Sequence, residues 1–318
     1  MIEYVPMIEE TIDCTRLDMN DFAPIVLFVY NRPWHTQKTI EALQKNQLAL
    51  HSDLYIYSDA AKTEADQSKV LEVRQYIQSI DGFKTVTVIE RNRNYGLADS
   101  IMDGVTTVVE KYGKIIVLED DLLTSPYFLK YMNEALYIYR DDEKVMSISA
   151  YMYPIKATLP DTFFTYFTSC WGWGTWKNAW SHFERNPLGL LHSMKRNEIH
   201  KFNINGSDDL WRQVKLNVKG KIFTWAVFWY ATVFKRGGLV LHPSISLTMN
   251  IGHDGTGVHC GSTLSYEPVM RDTPIEYFER EINNNEEAVS TIAQFLKLNK
   301  ISLWSRVQNK MRKIWKKV

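Results

Sequence analysis

The sequence predicts an α/β fold built on a mixed, mostly parallel sheet with helices on both faces. Apolar runs typical of strands alternate with helically spaced segments over roughly the first 120 residues, as parallel strands joined by helices do. The first run, residues 23–30, is apolar throughout, as expected of a strand buried on both faces. The chain has 318 residues, 45% of them hydrophobic, which is enough for a sizeable core and excludes wholesale disorder.

The individual elements follow from local patterns. Val70, Val73, Ile77 and Ile80 recur at helical spacing, and segment 85–90 alternates as a strand does. The predicted strands are 23–30, 53–57, 85–90 and 114–118, and the predicted helices are 36–43, 63–80 and 96–112, with a further helix beginning near Pro126.

Charge and cysteine content exclude several classes of protein. The chain has 37 basic and 37 acidic residues, and this zero net charge argues against a nucleic-acid binder that relies on bulk electrostatics. Cys14, Cys170 and Cys260 are few and far apart, which excludes a disulfide framework and a thiolate zinc site and fits a reducing cytosol. We predict no signal peptide, because acidic residues follow Met1, and no transmembrane span, because no stretch of about 18 residues is apolar.

The two ends of the chain carry opposite charge. Segment 1–21 has six acidic residues against one arginine, whereas segment 303–318 has six basic residues and no acidic one. On a helical wheel the basic residues of 303–318 lie opposite its apolar ones. The apolar residues are Leu303, Trp304, Val307, Met311, Ile314, Trp315 and Val318. This pattern favours an amphipathic helix that binds an anionic membrane surface, and the alternative is a helix packed on the protein's own core.

Polar side chains follow several of the predicted strands. Arg32 follows the first strand, Asp59 the second, and Glu119, Asp120 and Asp121 the fourth. Ligands of such sheets bind at the carboxyl ends of the strands, so we expect a functional site where these residues converge.

Three consecutive carboxylates after a buried strand are the strongest motif. Negative charge in such a place is costly unless something positive neutralises it, and Mg²⁺ or Mn²⁺ is the usual partner of hard oxygen ligands. Such an ion can bridge two phosphates and stabilise a departing diphosphate. The alternative is that Glu119, Asp120 and Asp121 open the next helix, where the dipole favours acidic residues. The sequence contains neither a P-loop nor a dinucleotide-binding glycine motif, so a metal-bound diphosphate remains the favoured hypothesis.

These motifs together resemble the GT-A glycosyltransferases, especially N-acetylglucosaminyltransferase I and its bacterial polysaccharide-biosynthesis relatives. The resemblance begins with the strands that end at Arg32 and Asp59 and extends over roughly residues 23–262. The segments that carry it further along the chain are E-D-D-L and S-P-Y-F in 119–128, C-W-G-W-G-T-W in 170–176, H-P-S-I-S-L in 242–247, and the Gly-rich stretch 252–259. It implies a GT-A, Rossmann-like sheet, which the C-terminal amphipathic helix predicted from the charge pattern would follow.

The resemblance also implies roles for particular residues. Asp121 would be the principal ligand of Mn²⁺ or Mg²⁺, and His259 a second one. Asp59 would face the uracil edge and Arg32 the phosphates. The alternatives are that Asp59 is a turn residue and that Arg32 is a surface arginine. The residues implied for the nucleotide-sugar donor are Arg32, Asp59, Glu119, Asp120 and Trp173. In the tryptophan segment, indole faces suit sugar surfaces and the glycines allow close approach, and the alternative is that these tryptophans pack the core.

The resemblance leaves the catalytic base open. The family's aspartate falls at Ala226-Val227, where this chain has no carboxylate. An inverting transferase needs a base near the acceptor hydroxyl, and the candidates are Asp208, Asp209 and Asp254, of which Asp209 is favoured. The alternative for Asp208-Asp209 is a helix N-terminus, and a retaining mechanism would need no such base.

The length fits two domains or one large α/β domain with additions. We expect an acidic extension (1–21), a glycosyltransferase domain (22–290) and a basic amphipathic helix (291–318), the domain comprising a nucleotide-binding half (22–125) and an acceptor half (126–290). The predicted activity is metal-dependent, inverting transfer from a UDP-sugar to a glycan hydroxyl, with no nucleic-acid partner. The basic helix would place the enzyme at the inner face of the membrane, beside a lipid-linked acceptor of bacterial surface polysaccharide synthesis. The alternatives are a nucleotidyltransferase of the sugar-nucleotide type and a catalytically degenerate, membrane-associated glycan-binding protein.

Overall fold

A computed structural model describes residues 21–253 and 267–299 of the chain. Within these residues the strands are β1 (Ile25–Val29), β2 (Asp53–Ser58), β3 (Thr85–Glu90), β4 (Lys114–Glu119), β5 (Leu122–Thr124), β6 (Val145–Ser149), β7 (Thr162–Thr165), β8 (Trp173–Trp176), β9 (Leu239–Pro243) and β10 (Thr248–Asn250). The α-helices are α1 (Pro33–Gln44), α2 (Gln67–Ile77), α3 (Leu97–Tyr112), α4 (Phe128–Ile138), α5 (Lys177–Trp180), α6 (Pro187–Ser193), α7 (Arg196–Phe202), α8 (Leu210–Val218), α9 (Ala226–Lys235) and α10 (Glu286–Asn299). Ala49–His51 and Glu64–Asp66 form short 3₁₀ turns.

Eight of these strands form one mixed sheet in the order β3-β2-β1-β4-β8-β6-β9-β7. The first four are parallel to one another, β6 is parallel to β9, and β8 and β7 run antiparallel to their neighbours. The remaining two, β5 and β10, pair antiparallel as a separate two-stranded ribbon. The predicted α/β class with a mixed, mostly parallel sheet is confirmed.

Two apolar cores lie on opposite faces of this sheet. Successive side chains of a strand point to opposite faces, and β1 shows this directly. Ile25 and Leu27 belong to the core under α1, α2, α4 and α10, whereas Val26 and Phe28 belong to the core under α3. All five residues of β1 are buried, as its position between β2 and β4 requires.

The predicted elements of the first half are all present, most of them with shifted ends. α1 begins at Pro33, three residues earlier than expected, because a proline at the first helical position has a suitable φ and needs no hydrogen-bond acceptor. The predicted helix 63–80 is shorter, since the 3₁₀ turn Glu64–Asp66 precedes α2 and α2 ends at Ile77.

The C-terminal part of the described chain is helical. α10 begins at Glu286 and buries Ala288, Val289 and Ile292 against the sheet. The basic amphipathic segment 303–318 lies outside the described residues, as does the acidic segment 1–20. Among the helices of 21–253 and 267–299, none has the length and apolar composition needed to cross a bilayer.

Candidate functional site

The site is built around two buried carboxylates at the carboxyl edge of the sheet. β1 and β4 are parallel neighbours, so the residues that follow them come together. Arg32 precedes α1, and its Nη2 atom donates to Asp121 Oδ2 at 2.9 Å and also pairs with Asp120. Asp120 is 4% exposed and Asp121 7%. The sequence prediction that positive charge must lie beside these carboxylates is therefore met by a side chain of the protein itself.

Both aspartates are held through their main chains as well. The hydroxyl of buried Thr39, on α1, donates to the carbonyl oxygen of Asp120 at 2.9 Å. The amide of Ile251 donates to the carbonyl oxygen of Asp121 at 2.8 Å. The carboxylates therefore project from a backbone fixed on two sides.

The ribbon of β5 and β10 brings a distant segment to Asp121. Its register sets Asn250 opposite Leu122, the residue after Asp121. The Asn250 amide Nδ2 donates to Asp121 Oδ1 at 3.3 Å, and Asn250 Oδ1 accepts from the Gly252 amide at 2.8 Å. Asn250 thereby ties Asp121 to the turn that covers it.

The backbone at Gly252 lies close to Asp121 and Arg32. A Cβ atom built on Gly252 would lie 2.2 Å from Asp121 Oδ2 and 3.0 Å from Arg32 Nη1. Cβ contacts of 2.2 Å do not occur in proteins, so residue 252 must lack a side chain for this arrangement to form.

The same structure decides between the two interpretations of the acidic triplet. Helix α4 begins at Phe128, and β5 lies between it and Asp121. The effect of a helix dipole is confined to the first turn, so it does not account for acidic residues at this distance. The triplet instead ends β4 and faces Arg32 and β10.

Burial and the neighbouring charges shift the pKa values of Glu119 and Asp120. Burial, with the charges of Asp121 and Asp120, raises the pKa of Glu119 to about 8. Burial also raises the pKa of Asp120 to about 6, although Arg32 opposes the shift. Burial lowers the pKa of Arg32, but the attraction of Asp120 and Asp121 outweighs it and leaves that pKa above its usual value. The cluster therefore has an excess of negative charge that one guanidinium does not fully offset.

The donor set suits a hard cation. Carboxylate oxygens are the ligands that Mg²⁺ and Mn²⁺ prefer, and Mg²⁺ sites commonly use one or two carboxylates together with substrate phosphates. Within the described residues no group of three or more His, Cys, Asp or Glu side chains is arranged to hold a metal alone. Asp120 and Asp121 fit a metal that phosphate oxygens share, and the predicted second ligand His259 lies outside the described residues.

Asp59 is engaged by its own chain. Oδ1 accepts from the amides of Ala60 (2.9 Å) and Tyr95 (2.8 Å), and Oδ2 from the Gly96 amide (2.8 Å) and Asn94 Nδ2 (3.1 Å). These four donors match the roughly four acceptor positions of a carboxylate. In this structure Asp59 therefore fixes the loop 94–96.

The loop that Asp59 holds borders a cavity. The Arg91 guanidinium lies 4.8 Å from the ring centre of Tyr57 and 4.3 Å from that of Tyr95, and it pairs with Asp103. The cavity beside it has a volume of about 390 Å³ and is lined by Arg93, Asn94, Tyr95, Asp99, Met102 and Asp103. The cation–π contact with Arg91 holds the ring of Tyr95, which lines this cavity, in place.

The tryptophans of the segment 170–176 have different surroundings. Trp173 is 1% exposed and stacks on Trp225 with ring centres 5.3 Å apart. Trp176 is buried, and its Nε1 donates to the Leu136 carbonyl oxygen at 3.0 Å. Both pack the cores, as the alternative interpretation proposed, and we leave Trp173 out of the donor site because its indole offers no surface to a ligand.

Trp171 is the tryptophan of this segment that lies beside the site. It is partly exposed, its ring centre lies 5.3 Å from that of His253, and His253 follows Gly252 directly. The carbonyl oxygen of Trp171 accepts from the Thr248 hydroxyl at 2.7 Å, and this hydrogen bond connects Trp171 to β10.

Asp209, the favoured candidate base, lies in the part of the chain that the structure describes. Asp209 is exposed at the N-cap position of α8, so the alternative of a helix N-terminus describes its local geometry, although its side chain makes no capping hydrogen bond. Val227 is buried within α9, and no carboxylate stands at that position. Asp254 lies outside the described residues.

Two residues that shape the site, Asn250 and Asn94, were not predicted from the sequence. Asn250 was missed because its contact with Asp121 spans 129 residues, and no local pattern reveals the β5–β10 pairing. Asn94 and its loop were missed because their partner Asp59 was interpreted as a ligand contact. The signal available for Asn250 was its place two residues before the Gly-rich stretch.

Comparison with solved structures finds proteins whose structures are weakly similar to this chain. The mannosyltransferase PcManGT from Pyrobaculum calidifontis, solved in complex with GDP-Man and Mn²⁺, is 9% identical over 68% of this chain and 68% of its own, with a TM-score of 0.40. S. aureus TarS is 9% identical over 48% of this chain and 28% of its own (TM-score 0.34), and its segment 1–349 is 9% identical over 71% and 59% (TM-score 0.40). At TM-scores below 0.5 these likenesses assign nothing to this chain.

Comparison of the sequence is more informative. No curated protein sequence matches the chain. The model of the GNT-I family matches residues 5–191, a segment that holds Arg32, Asp59 and the acidic triplet. Because this match covers more than half of the 318 residues, the chain belongs to the GNT-I family and is a glycosyltransferase.

Proposed function

We propose that the chain transfers a sugar from a UDP-sugar to a hydroxyl group of a glycan acceptor, with Mn²⁺ or Mg²⁺ as cofactor. The observation that carries this proposal is the pair Asp120 and Asp121, buried at the carboxyl edge of the sheet and bound to Arg32. A buried anionic pair beside an arginine suits a metal-bound diphosphate, because both the metal and the phosphates find opposite charge there.

Each residue of the site then has a defined role. When bound, a divalent ion stabilises the negative charge that develops on the departing diphosphate. Asp121 would hold that ion, since Asn250 and Ile251 fix its orientation. Asp120 would face the ribose or phosphate, and Glu119 would support the donor from the end of β4.

The loop held by Asp59 would border the nucleotide. Asp59 acts in this proposal as a positioning residue, because its carboxylate is committed to the amides of the loop 94–96. The neighbouring cavity of about 390 Å³ offers room for a ligand at this edge. We infer that residues 22–125 supply most of the nucleotide site and that residues 126–290, which include Asn250 and Trp171, complete it and bind the acceptor.

We propose an inverting mechanism in which Asp209 or Asp254 accepts the proton of the acceptor hydroxyl. An aspartate that does so contributes roughly 10²- to 10⁴-fold to turnover. Asp209→Asn and Asp254→Asn are therefore to be compared for turnover and for UDP affinity. The base is the residue whose replacement lowers turnover in this range while UDP binding is unchanged, and full turnover in both variants would favour a retaining mechanism.

We further propose that the acceptor is lipid-linked and that the enzyme works at the inner face of a bacterial membrane, in surface polysaccharide synthesis. The support is the charge pattern of segment 303–318, which places tryptophans and aliphatic residues opposite six basic ones. This segment lies outside the described residues, so the proposal rests on the sequence alone.

The experiment that tests the activity is a calorimetric titration of UDP into the purified protein. We expect binding in Mn²⁺ that disappears in excess EDTA, after which UDP-sugars would be screened for turnover. Titrations of GDP and CDP under the same conditions identify the base preference. If none of the three nucleotides binds in the presence of metal, the proposed donor site is refuted. Release of pyrophosphate from a nucleoside triphosphate would instead indicate a nucleotidyltransferase.

A further inference from the structure

We propose that Arg32 is the resident counter-ion of Asp120 and Asp121 and that it exchanges partners when metal and nucleotide bind. In the protein alone it pairs with both carboxylates. On loading, it leaves Asp121 to the metal and turns to the diphosphate. The inference rests on the proposed function for the identity of its ligands.

The positions of the polar atoms around Asp121 support an exchange. Oδ1 accepts from Asn250 at 3.3 Å, and Oδ2 accepts from Arg32 Nη2 at 2.9 Å. The backbone of Gly252 closes the remaining side, since a Cβ there would lie 2.2 Å from Oδ2. A metal that binds Oδ2 therefore needs the space that the guanidinium fills.

Charge repulsion also opposes binding of both cations to the same carboxylate. A guanidinium and a divalent ion on one carboxylate would repel each other strongly at this short range in a buried site. Conversely, the carboxylates need a cation beside them, because Asp120 and Asp121 are both less than a tenth exposed and buried charge is costly unless it is paired. The two requirements are met together when one cation replaces the other.

The location of Arg32 suits the diphosphate, the second partner that we propose for it. Its side chain is 19% exposed, whereas those of Asp120 and Asp121 are 6% and 9% exposed, so the guanidinium lies on the solvent side of the pair. Helix α1 begins immediately afterwards at Pro33. The positive end of a helix attracts phosphate, so a diphosphate that arrives with the metal would meet both the guanidinium and this helix end.

The exchange predicts opposite effects of one substitution on two affinities. In Arg32→Gln, Mn²⁺ alone should bind at least tenfold more tightly than in the wild type, because the competing cation is gone. UDP in saturating Mn²⁺ should bind about tenfold more weakly, because a charge-assisted contact to phosphate is lost. Arg140→Gln is the matched control, since Arg140 is half exposed and pairs with the neighbouring Asp141, and it should change neither affinity.

Mn²⁺ affinity is measured by electron paramagnetic resonance of the free ion and UDP affinity by calorimetry. Equal or weaker binding of Mn²⁺ alone to a folded Arg32→Gln protein would overturn the exchange. A wild type that binds Mn²⁺ but no nucleotide would refute the proposed donor site, and the Mn²⁺ measurement would still decide whether Arg32 competes with metal.

A second measurement tests the exchange in the wild-type protein itself. The side-chain ¹⁵N signal of Arg32 in the wild-type protein, assigned by its absence in Arg32→Lys, should shift when Mg²⁺ is added and shift again with UDP. A signal unchanged by both additions would overturn the proposal even if Arg32→Gln failed to fold.

Discussion

Gly252 lies against Asp121 so closely that a Cβ atom on residue 252 would be 2.2 Å from Asp121 Oδ2. These two residues come from segments that the sequence separates widely, and the β5–β10 ribbon brings them into contact. The carboxylate is therefore covered by backbone on one side and faces Arg32 on another. The shape of the site depends on the absence of a side chain as much as on the charges present.

Gly252→Ala should disrupt the site while leaving the fold intact. The added methyl group must displace Asp121 or the backbone of β10, and overpacking of this kind costs about 1–3 kcal/mol. We expect turnover and metal-dependent UDP binding to fall at least tenfold. Calorimetry and a glycosyltransfer assay measure both.

Gly220→Ala is the control for this substitution. Gly220 has a φ of +61° and nothing within 4 Å of its Cβ position, so alanine there introduces backbone strain without a clash at the site. It should lower the melting temperature and leave UDP binding unchanged. Equal loss of UDP binding in both variants would indicate a general effect of destabilisation.

Asp121→Asn should lower turnover by roughly 10²- to 10³-fold, because it removes the charge that would hold the metal against the leaving diphosphate. The asparagine amide has nearly the same size and shape as the aspartate carboxylate, so we expect the variant to fold. Asp141→Asn serves for comparison, since the Asp141 side chain is 85% exposed and lies away from the site. Turnover near the wild-type value in Asp121→Asn would exclude the metal-binding role.

Asp59→Asn should destabilise the loop 94–96. An asparagine places an NH₂ group against amides that donate to Asp59 in the wild type, and an unsatisfied buried polar group costs about 1–3 kcal/mol. We expect a lower free energy of unfolding in urea together with weaker UDP binding. Unchanged stability with lost UDP binding would instead show that Asp59 contacts the nucleotide directly.

The metal-free protein should lose stability as the pH rises. Folding raises the pKa of Asp120 from 3.8 to about 6 and that of Glu119 from 4.5 to about 8. These two acids therefore bind more protons in the folded protein than in the unfolded chain between about pH 4 and pH 8, which lowers the free energy of unfolding as the pH rises. Burial lowers the pKa of His242 from 6.5 to about 4, and this offsets part of the fall below about pH 6.5. Melting temperatures in EDTA at pH 5, 6, 7 and 8 test this expectation.

Glu119→Gln isolates the contribution of the most shifted acid. Glutamine carries no charge at any pH, so the fall in melting temperature between pH 6 and pH 8 should be smaller than in the wild type. Glu110→Gln is the control, because Glu110 is an exposed partner of Lys177 and should leave the fall unchanged. An identical fall in Glu119→Gln would assign the pH dependence to other groups.

Deletion of residues 303–318 should abolish co-flotation of the protein with liposomes that contain anionic lipid. The basic face supplies electrostatic attraction and the tryptophan-bearing face inserts into the interface. Reversal of charge at Lys313, Lys316 and Lys317 should have the same effect without shortening the chain. Unchanged flotation of the deletion variant would refute membrane binding by this segment.

Local patterns were sufficient to predict the first half of the fold. The run 23–30 identified β1 because its residues face cores on both sides of the sheet, and segment 85–90 matched β3 residue for residue. The ribbon β5–β10 was missed, since each of its strands has three residues and their pairing crosses more than a hundred positions.

The site was predictable where charge alone identifies a residue. The acidic triplet and Arg32 stood out because buried charge needs a partner, and the structure brings them together. Trp173 and Asp59 show the limit of this reasoning. Whether a tryptophan packs a core or faces a ligand, and whether an aspartate binds its own chain, depend on tertiary neighbours that no local pattern contains.

The long separation between Asp121 and Asn250 also orders events during synthesis of the chain. Asn250 follows Asp121 by 129 residues, which a ribosome adds in roughly 6–26 s at about 5–20 residues per second. Arg32 precedes the aspartates and is made before them. The nascent chain therefore carries the neutralising charge from the start and gains the covering turn only when most of the protein has been made.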